Sequence, residues 1–126
     1  MSSKTAVVVL SDPSTGTEEA VGRVFNALAA AWDFAQGGEA LVVFQGTGTR
    51  WPAVLADPAH PAHELYTAVK KQVATVASGG CAITFGATEG LEGEGISTVA
   101  QNQAPGTVGV GSLRELAQSG YTVLTF

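Results

Sequence analysis

Thiol, positive charge and long apolar runs are all scarce in this chain, and each shortage closes off a class of function. A single cysteine, Cys81, among 126 residues rules out an internal disulfide and points to a reducing compartment, hence a cytoplasmic protein. Six lysines and arginines set against eleven acidic residues, a formal charge of −5, provide no basic face for phosphate backbones and argue against nucleic acid as a partner. No stretch nears the roughly 18 apolar residues of a membrane span, and the start "MSSKTAVVVLSD" has too short an apolar run for a signal or an anchor. A soluble protein away from membranes is expected. So few charges leave apolar surface to hide, which favours self-association.

What the chain does have is the alternation of an α/β domain. At 126 residues, 45% of them hydrophobic, it has the size for one core, and residues 1–126 read as one domain. "TAVVVLSD", "EALVVFQG", "CAITFGAT" and "YTVLTF" are apolar runs bounded by polar or Gly turns, the pattern of parallel strands covered on both faces. "GTVGVG" is a fifth, shorter candidate. Across residues 16–36, Val21, Val24, Phe25, Leu28, Ala31, Trp32 and Ala35 keep the spacing of one helix face. Thr15 and Glu18 form a capping-box pattern at its start, and Gly37-Gly38 ends it. A second helix is expected from Pro61 to Ala77 with Leu65, Val69, Val73 and Val76 inward, and a third near residues 92–102. The last starts at Ser112, where Glu115 completes another capping box, and stops at Gly120. The order predicts right-handed parallel crossovers: a Rossmann-like, mostly parallel sheet of about five strands with helices on both faces. Residues 46–60 form a long connection, a functional or interface segment.

In such a sheet ligands bind beyond the carboxyl ends of the strands, where helix N-termini aim free N–H groups. That edge gathers Ser11 and Asp12, then Gly46, Thr47 and Gly48, then Phe85, Gly86, Ala87 and Thr88. We take Asp12, Gly46, Gly48, Phe85 and Thr88 as the candidate site for a small polar or anionic ligand, against the reading that these are ordinary turn and cap residues. A strand over residues 81–86 would leave Cys81 about 13 Å behind Phe85, at the amino end and away from this rim. There it reads as a small buried hydrophobe. "GTGTRW" lacks the third glycine of a dinucleotide fingerprint, and His60, His63 and Glu64 lack the HExxH spacing of a zinc site. No cofactor and no metal is expected. Trp51 either makes a subunit contact or lids the core.

The segments "VVVLSDPSTGTEEA", "GGEALVVFQGTG" and above all "VGVGSLRELAQSGYTVLTF" resemble the DsrE/DsrF-like family of small sulfur-relay proteins over nearly the whole length. The resemblance implies a Rossmann-like sheet and a homo-oligomer, commonly trimeric or hexameric. In sulfur-transferring members it implies a persulfide-bearing cysteine at the carboxyl end of the third strand, then a helix that often contains Arg-Gly. Aligned on that pattern, "GGCAITFGATEGLEGEGI" puts Phe85 in the sulfur-carrying place and Glu92 or Glu94 where the arginine would stand. A phenyl ring holds no sulfane sulfur, and a carboxylate repels an anionic persulfide. The expectation is therefore a member lacking the family cysteine: a homo-oligomeric binding or structural module with no catalytic residue. The rival is a sulfurtransferase carrying a persulfide on Cys81.

Overall fold

A computed structural model describes residues 3–126. Five strands form one sheet in the order β4-β3-β2-β1-β5, with every paired strand parallel. β1 (Ser3–Val9) lies at its centre, between β2 (Gly38–Phe44) and β5 (Thr122–Thr125). Thr5 to Val9, four of them β-branched, are all buried, as expected of a strand covered on both faces. The expected single α/β domain is thus observed.

α1 (Glu18–Gly37) links β1 to β2. Thr17, two residues beyond the expected Thr15, caps it by accepting a hydrogen bond from the Ala20 backbone N–H at 3.1 Å. Glu18 and Glu19 in its first turn complement the positive end of the helix dipole. Val24, Ala27, Leu28 and Ala31 bury one face against Val7, Val9, Val42 and Phe44. Phe25, expected inward, is 44% exposed, and Trp32 is only partly buried.

The connection after β2 is less extended than its length suggests. Gly46–Arg50 is a 3-10 turn that runs directly into α2 (Trp51–Leu55), and Trp51 is buried, a lid on the core rather than an exposed contact. α3 (His63–Gln72) packs beside α1.

Here the structure corrects the sequence reading. The third strand, β3, is Ala74–Ser78, and the segment taken for it forms a helix, α4 (Gly79–Thr84). α3 stops at Gln72 because Val73 turns to extended backbone; Val76, expected on the helix, lies in the strand. α5 (Thr88–Gly93) precedes β4 (Ser97–Val99), a strand within the residues expected to be a third helix. "GTVGVG" forms no regular strand and contributes one antiparallel bridge, Val110 to Asn102. α6 (Leu113–Gln118) starts at Ser112, whose hydroxyl caps it by accepting from the Glu115 N–H at 3.1 Å.

Crossover handedness decides how the layers are filled. From β1 to β4 the chain steps along the sheet in one direction, and right-handed connections place α1 and α3 on the same face. The return from β4 across to β5 reverses direction and places α6 on the other face. That second face carries Ala6, Val8, Leu41, Val43, Val76 and Val99, and α6, its one helix, buries none of its own residues and shares the cover with the loop before it. Helices do lie on both faces, but unequally.

The packing predicts two opposite effects on α1. Leu28→Ala removes a side chain 1% exposed and lowers unfolding free energy by about 2–5 kcal/mol. Gly22→Ala, at a helical glycine with open space beside it, raises it by about 1 kcal/mol. Urea midpoints measure both; a destabilised Gly22→Ala protein would contradict the placement of that helix face.

Candidate functional site at the carboxyl edge of the sheet

Asp12 follows β1 with extended backbone and caps the 3-10 turn Pro13–Thr15. Its Oδ1 accepts hydrogen bonds from the Ser14 backbone N–H at 2.8 Å and the Ser14 hydroxyl at 2.6 Å. Arg50, at the end of the turn after β2, reaches across the edge. One of its terminal nitrogens donates to both Asp12 carboxylate oxygens at 3.2 Å and to Ser14 Oγ at 2.8 Å, and its Nε donates to the Phe85 carbonyl at 3.1 Å. The guanidinium carbon lies 5.6 Å from the centre of the Phe85 ring, within cation–π range. Arg50 thus ties the ends of β1, β2 and α4 together.

The two glycines serve the same junction in different ways. Gly46 has φ of +59°, a left-handed turn that a side chain would strain. Gly48 passes so close to β1 that a Cβ would sit 2.0 Å from the Val9 carbonyl oxygen. Trp51 Nε1 fixes the neighbouring chain by donating to the Ser11 carbonyl at 2.8 Å. The structure therefore brings Asp12, Gly46, Gly48 and Phe85 to one place. Thr88 opens α5, and among the described residues no hydrogen bond ties its exposed side chain to the other four.

Sequence reasoning missed two residues. Arg50 is one of six basic side chains, and its position between a glycine turn and a buried tryptophan was the available signal. Ser78 is the other. It ends β3, is fully buried, and its Oγ accepts from the Gly111 N–H at 3.0 Å, joining the strand to the loop before α6.

Cys81 moves accordingly. It lies in α4, beyond the carboxyl end of β3 rather than at a strand's amino end, and is partly exposed. Phe85 ends α4 rather than a strand, so the alignment that gave it the sulfur-carrying place does not hold; the residue at the end of the third strand is Ser78.

The histidines have local tasks. His63 Nδ1 lies 2.7 Å from the Leu55 carbonyl, and His60 Nδ1 accepts from the Ala62 N–H at 3.0 Å. Glu94, one of the two residues expected where an arginine might stand, accepts from the Tyr66 hydroxyl at 2.7 Å and from Lys70 at 3.2 Å. Burial acts to raise the Glu94 carboxyl, but these hydrogen bonds outweigh it and hold the group below its usual range. Burial first, then the adjacent carboxylate, pushes the Tyr66 phenol far upward, so it stays a neutral donor.

Compared with known families, the sequence matches the DsrE/DsrF-like family over residues 3–126, and the chain belongs to that family. No curated protein and no solved structure matches it.

The rim has a pH signature. The Ser14 hydroxyl and N–H, followed by Arg50, hold Asp12 below the ordinary carboxylate value, despite some opposing desolvation. A lowered carboxyl stabilises the fold above its unfolded pKa of about 4, and that contribution disappears as pH falls through the lower folded value. Melting temperature should therefore fall more steeply between about pH 5 and pH 2 in the native protein than in Asp12→Asn, which has no carboxylate to protonate. Parallel curves would show that Asp12 does not hold the rim.

Proposed function

We propose that this member of the DsrE/DsrF-like family is a cytoplasmic, self-associating binding or structural module that carries no sulfur. One observation supports the reading above others: the carboxyl end of the third strand holds Ser78, buried and accepting from the Gly111 N–H, where the family resemblance calls for a cysteine. A hydroxyl cannot store sulfane sulfur. The following helix, α4, and the Phe85-Gly86 pair after it contain no arginine to steady a persulfide anion. The lone cysteine agrees with a reducing compartment, and among the described residues no helix is long and apolar enough to cross a membrane. Self-association, as a trimer or hexamer, is supported by exposed Phe25, Phe34, Ile83 and Val108 on a sparsely charged surface.

A small polar or anionic ligand at Asp12, Gly46, Gly48, Phe85 and Thr88 would have Arg50 as its cationic partner and would compete with Asp12 for it. The polar groups of this rim are already paired, which favours a rigid docking edge over an open pocket.

A second reading gains support from the corrected position of Cys81. It lies in the helix immediately following β3, partly exposed, and Arg50 binds the carbonyl of Phe85 at the other end of the same helix segment. In that reading the thiolate accepts a sulfur atom from a donor persulfide, which leaves as a thiol.

Incubation with a cysteine desulfurase and cysteine, followed by intact mass under non-reducing conditions, separates the two. The expected result is an unchanged mass in the native protein and in Cys81→Ser. An adduct of one sulfur atom that Cys81→Ser abolishes would replace the first reading with the second. Light scattering should separately show a trimer or hexamer at micromolar concentration, and a monodisperse monomer would remove self-association from the proposal.

A further inference from the structure

A second region of interest lies away from Arg50, on the thinly covered face of the sheet. α6 stands off this face and leaves a groove of about 300 Å³. Leu41, Val43, Val76 and Val99 form its floor, and Leu113 and Leu116 its helical wall. This volume is at the lower end for small-molecule sites, enough for one ring or a short branched chain.

The polar end of the groove has a consistent chemistry. Gln45, the residue after β2, has its Oε1 shut off from solvent with no hydrogen-bond partner among the described residues. A Cβ on Gly111 would sit 3.1 Å from that oxygen, so the amide is held against glycine backbone. Buried acceptors are normally paired, and an orphan one calls for an explanation. Gln101 Oε1, also at this end, accepts from the Ser112 N–H at 3.3 Å, and the Glu115 carboxylate lines the wall. Among the described residues no lysine, arginine or histidine lines the groove; Arg114 lines the adjoining cavity beyond Gln45 and Gly111 and donates along α6 to Gln118 at 3.3 Å. The lining thus carries one carboxylate and no cation, beside amides and hydroxyls that can accept or donate.

We propose that this groove binds a small molecule with an apolar body and a nitrogen head that donates hydrogen bonds, an amine or a primary amide. The body covers the valine and leucine floor. The head meets the Gln45 oxygen once that amide turns from Gly111 into the groove, with Glu115 beside it. A carboxylate or phosphate meets no cation there and shares the groove with the like charge of Glu115. The inference rests on the reading of the chain as a binding module, but not on the rim. Sulfur loading of Cys81 would overturn that reading and leave a positive titration of the groove standing.

Titration of isotopically labelled full-length protein, followed by backbone and side-chain amide NMR, tests it with three probes of one skeleton: 2-phenylethylamine, 3-phenylpropionamide and 3-phenylpropionate. Saturable shifts at Gln45, Val99, Gly111 and Leu113 are expected with the amine and the amide, at a dissociation constant of about 1 mM or tighter. The carboxylate should give none. Gln45→Leu should weaken amine binding by about fivefold or more, the scale of one lost hydrogen bond, whereas a purely structural Gln45 would alter melting temperature and leave affinity unchanged. Leu116→Trp should fill the groove and abolish the shifts, and Val99→Phe serves if that variant does not fold. Equal binding of the carboxylate would overturn the proposal. So would no saturable binding of any probe, including the case in which Leu113→Asp turns an oligomer into a monomer and shows that a second copy covers this face.

Discussion

The handedness of the parallel crossovers is the constraint from which the architecture follows. A parallel sheet pairs its backbone groups within itself but leaves apolar side chains on both faces, so each face needs cover. Three successive connections run in one direction and one runs back. The right-handed rule then assigns α1 and α3 to one side and only α6 to the other. The side with two long helices contains the main hydrophobic cluster, including Phe44 and Leu28. The opposite side has a six-residue helix with no buried residue and a groove beside it. The uneven cover comes from chain connectivity, not from weaker hydrophobicity of the sheet: Val43 and Val76 face that side just as Val42 and Ala77 face the main cluster.

At the carboxyl edge the same topology creates a different requirement. The turns after β1 and β2 must both clear the sheet within a few residues, and they meet where Gly48 touches the Val9 carbonyl. Beside this close approach Arg50 donates to the Asp12 carboxylate, the Ser14 hydroxyl and the Phe85 carbonyl. Its charge is balanced by Asp12 in a partly exposed pair with side-chain exposures of 34% and 26%, so its worth lies more in joining three segments than in Coulomb energy. The 3-10 turn and α2 then carry Trp51, Pro52 and Leu55 inward, which explains why a connection that reads as a long loop is ordered and partly interior.

Much of the fold was legible because local pattern and tertiary role agree. β1 and β2 are runs of valine, and α1 has a capped start and an unbroken apolar stripe. The Ser112–Glu115 signal marked α6 correctly, and β5 followed it. β3 was not legible. Three of its five residues, Ala74, Ala77 and Ser78, are small and carry little strand preference, while Val76 continues the helical spacing of Leu65, Val69 and Val73. The more apolar "CAITF" beyond it looks like the better strand, yet forms a helix turn that lets Gly80 donate to the Gly109 carbonyl at 2.7 Å. A Cβ at Gly80 would sit 2.4 Å from that oxygen, so Gly80 marks a close approach of two segments. Of the expected site, Asp12, Gly46, Gly48 and Phe85 do converge, because the carboxyl-edge rule depends on topology rather than on strand boundaries. The residue that joins them, Arg50, follows no local pattern and is found only in three dimensions.

This shift of one strand changes the chemical question about sulfur. With the strand placed late, Cys81 lies at the wrong end and a phenyl ring fills the reactive place. With β3 ending at Ser78, the relevant position instead holds an oxygen, and that oxygen has a structural partner in the Gly111 N–H. Ser78 sits at the N-terminus of α4 but its side chain makes no capping bond to it, since it faces the loop before α6 instead. That loop also takes the Gly80 N–H through Gly109, so two bonds from the strand-to-helix junction hold it against the sheet. A thiol at residue 78 would be a poorer acceptor for Gly111 and would loosen the first of these bonds. The junction thus anchors a loop through a fully buried side chain at the end of the third strand.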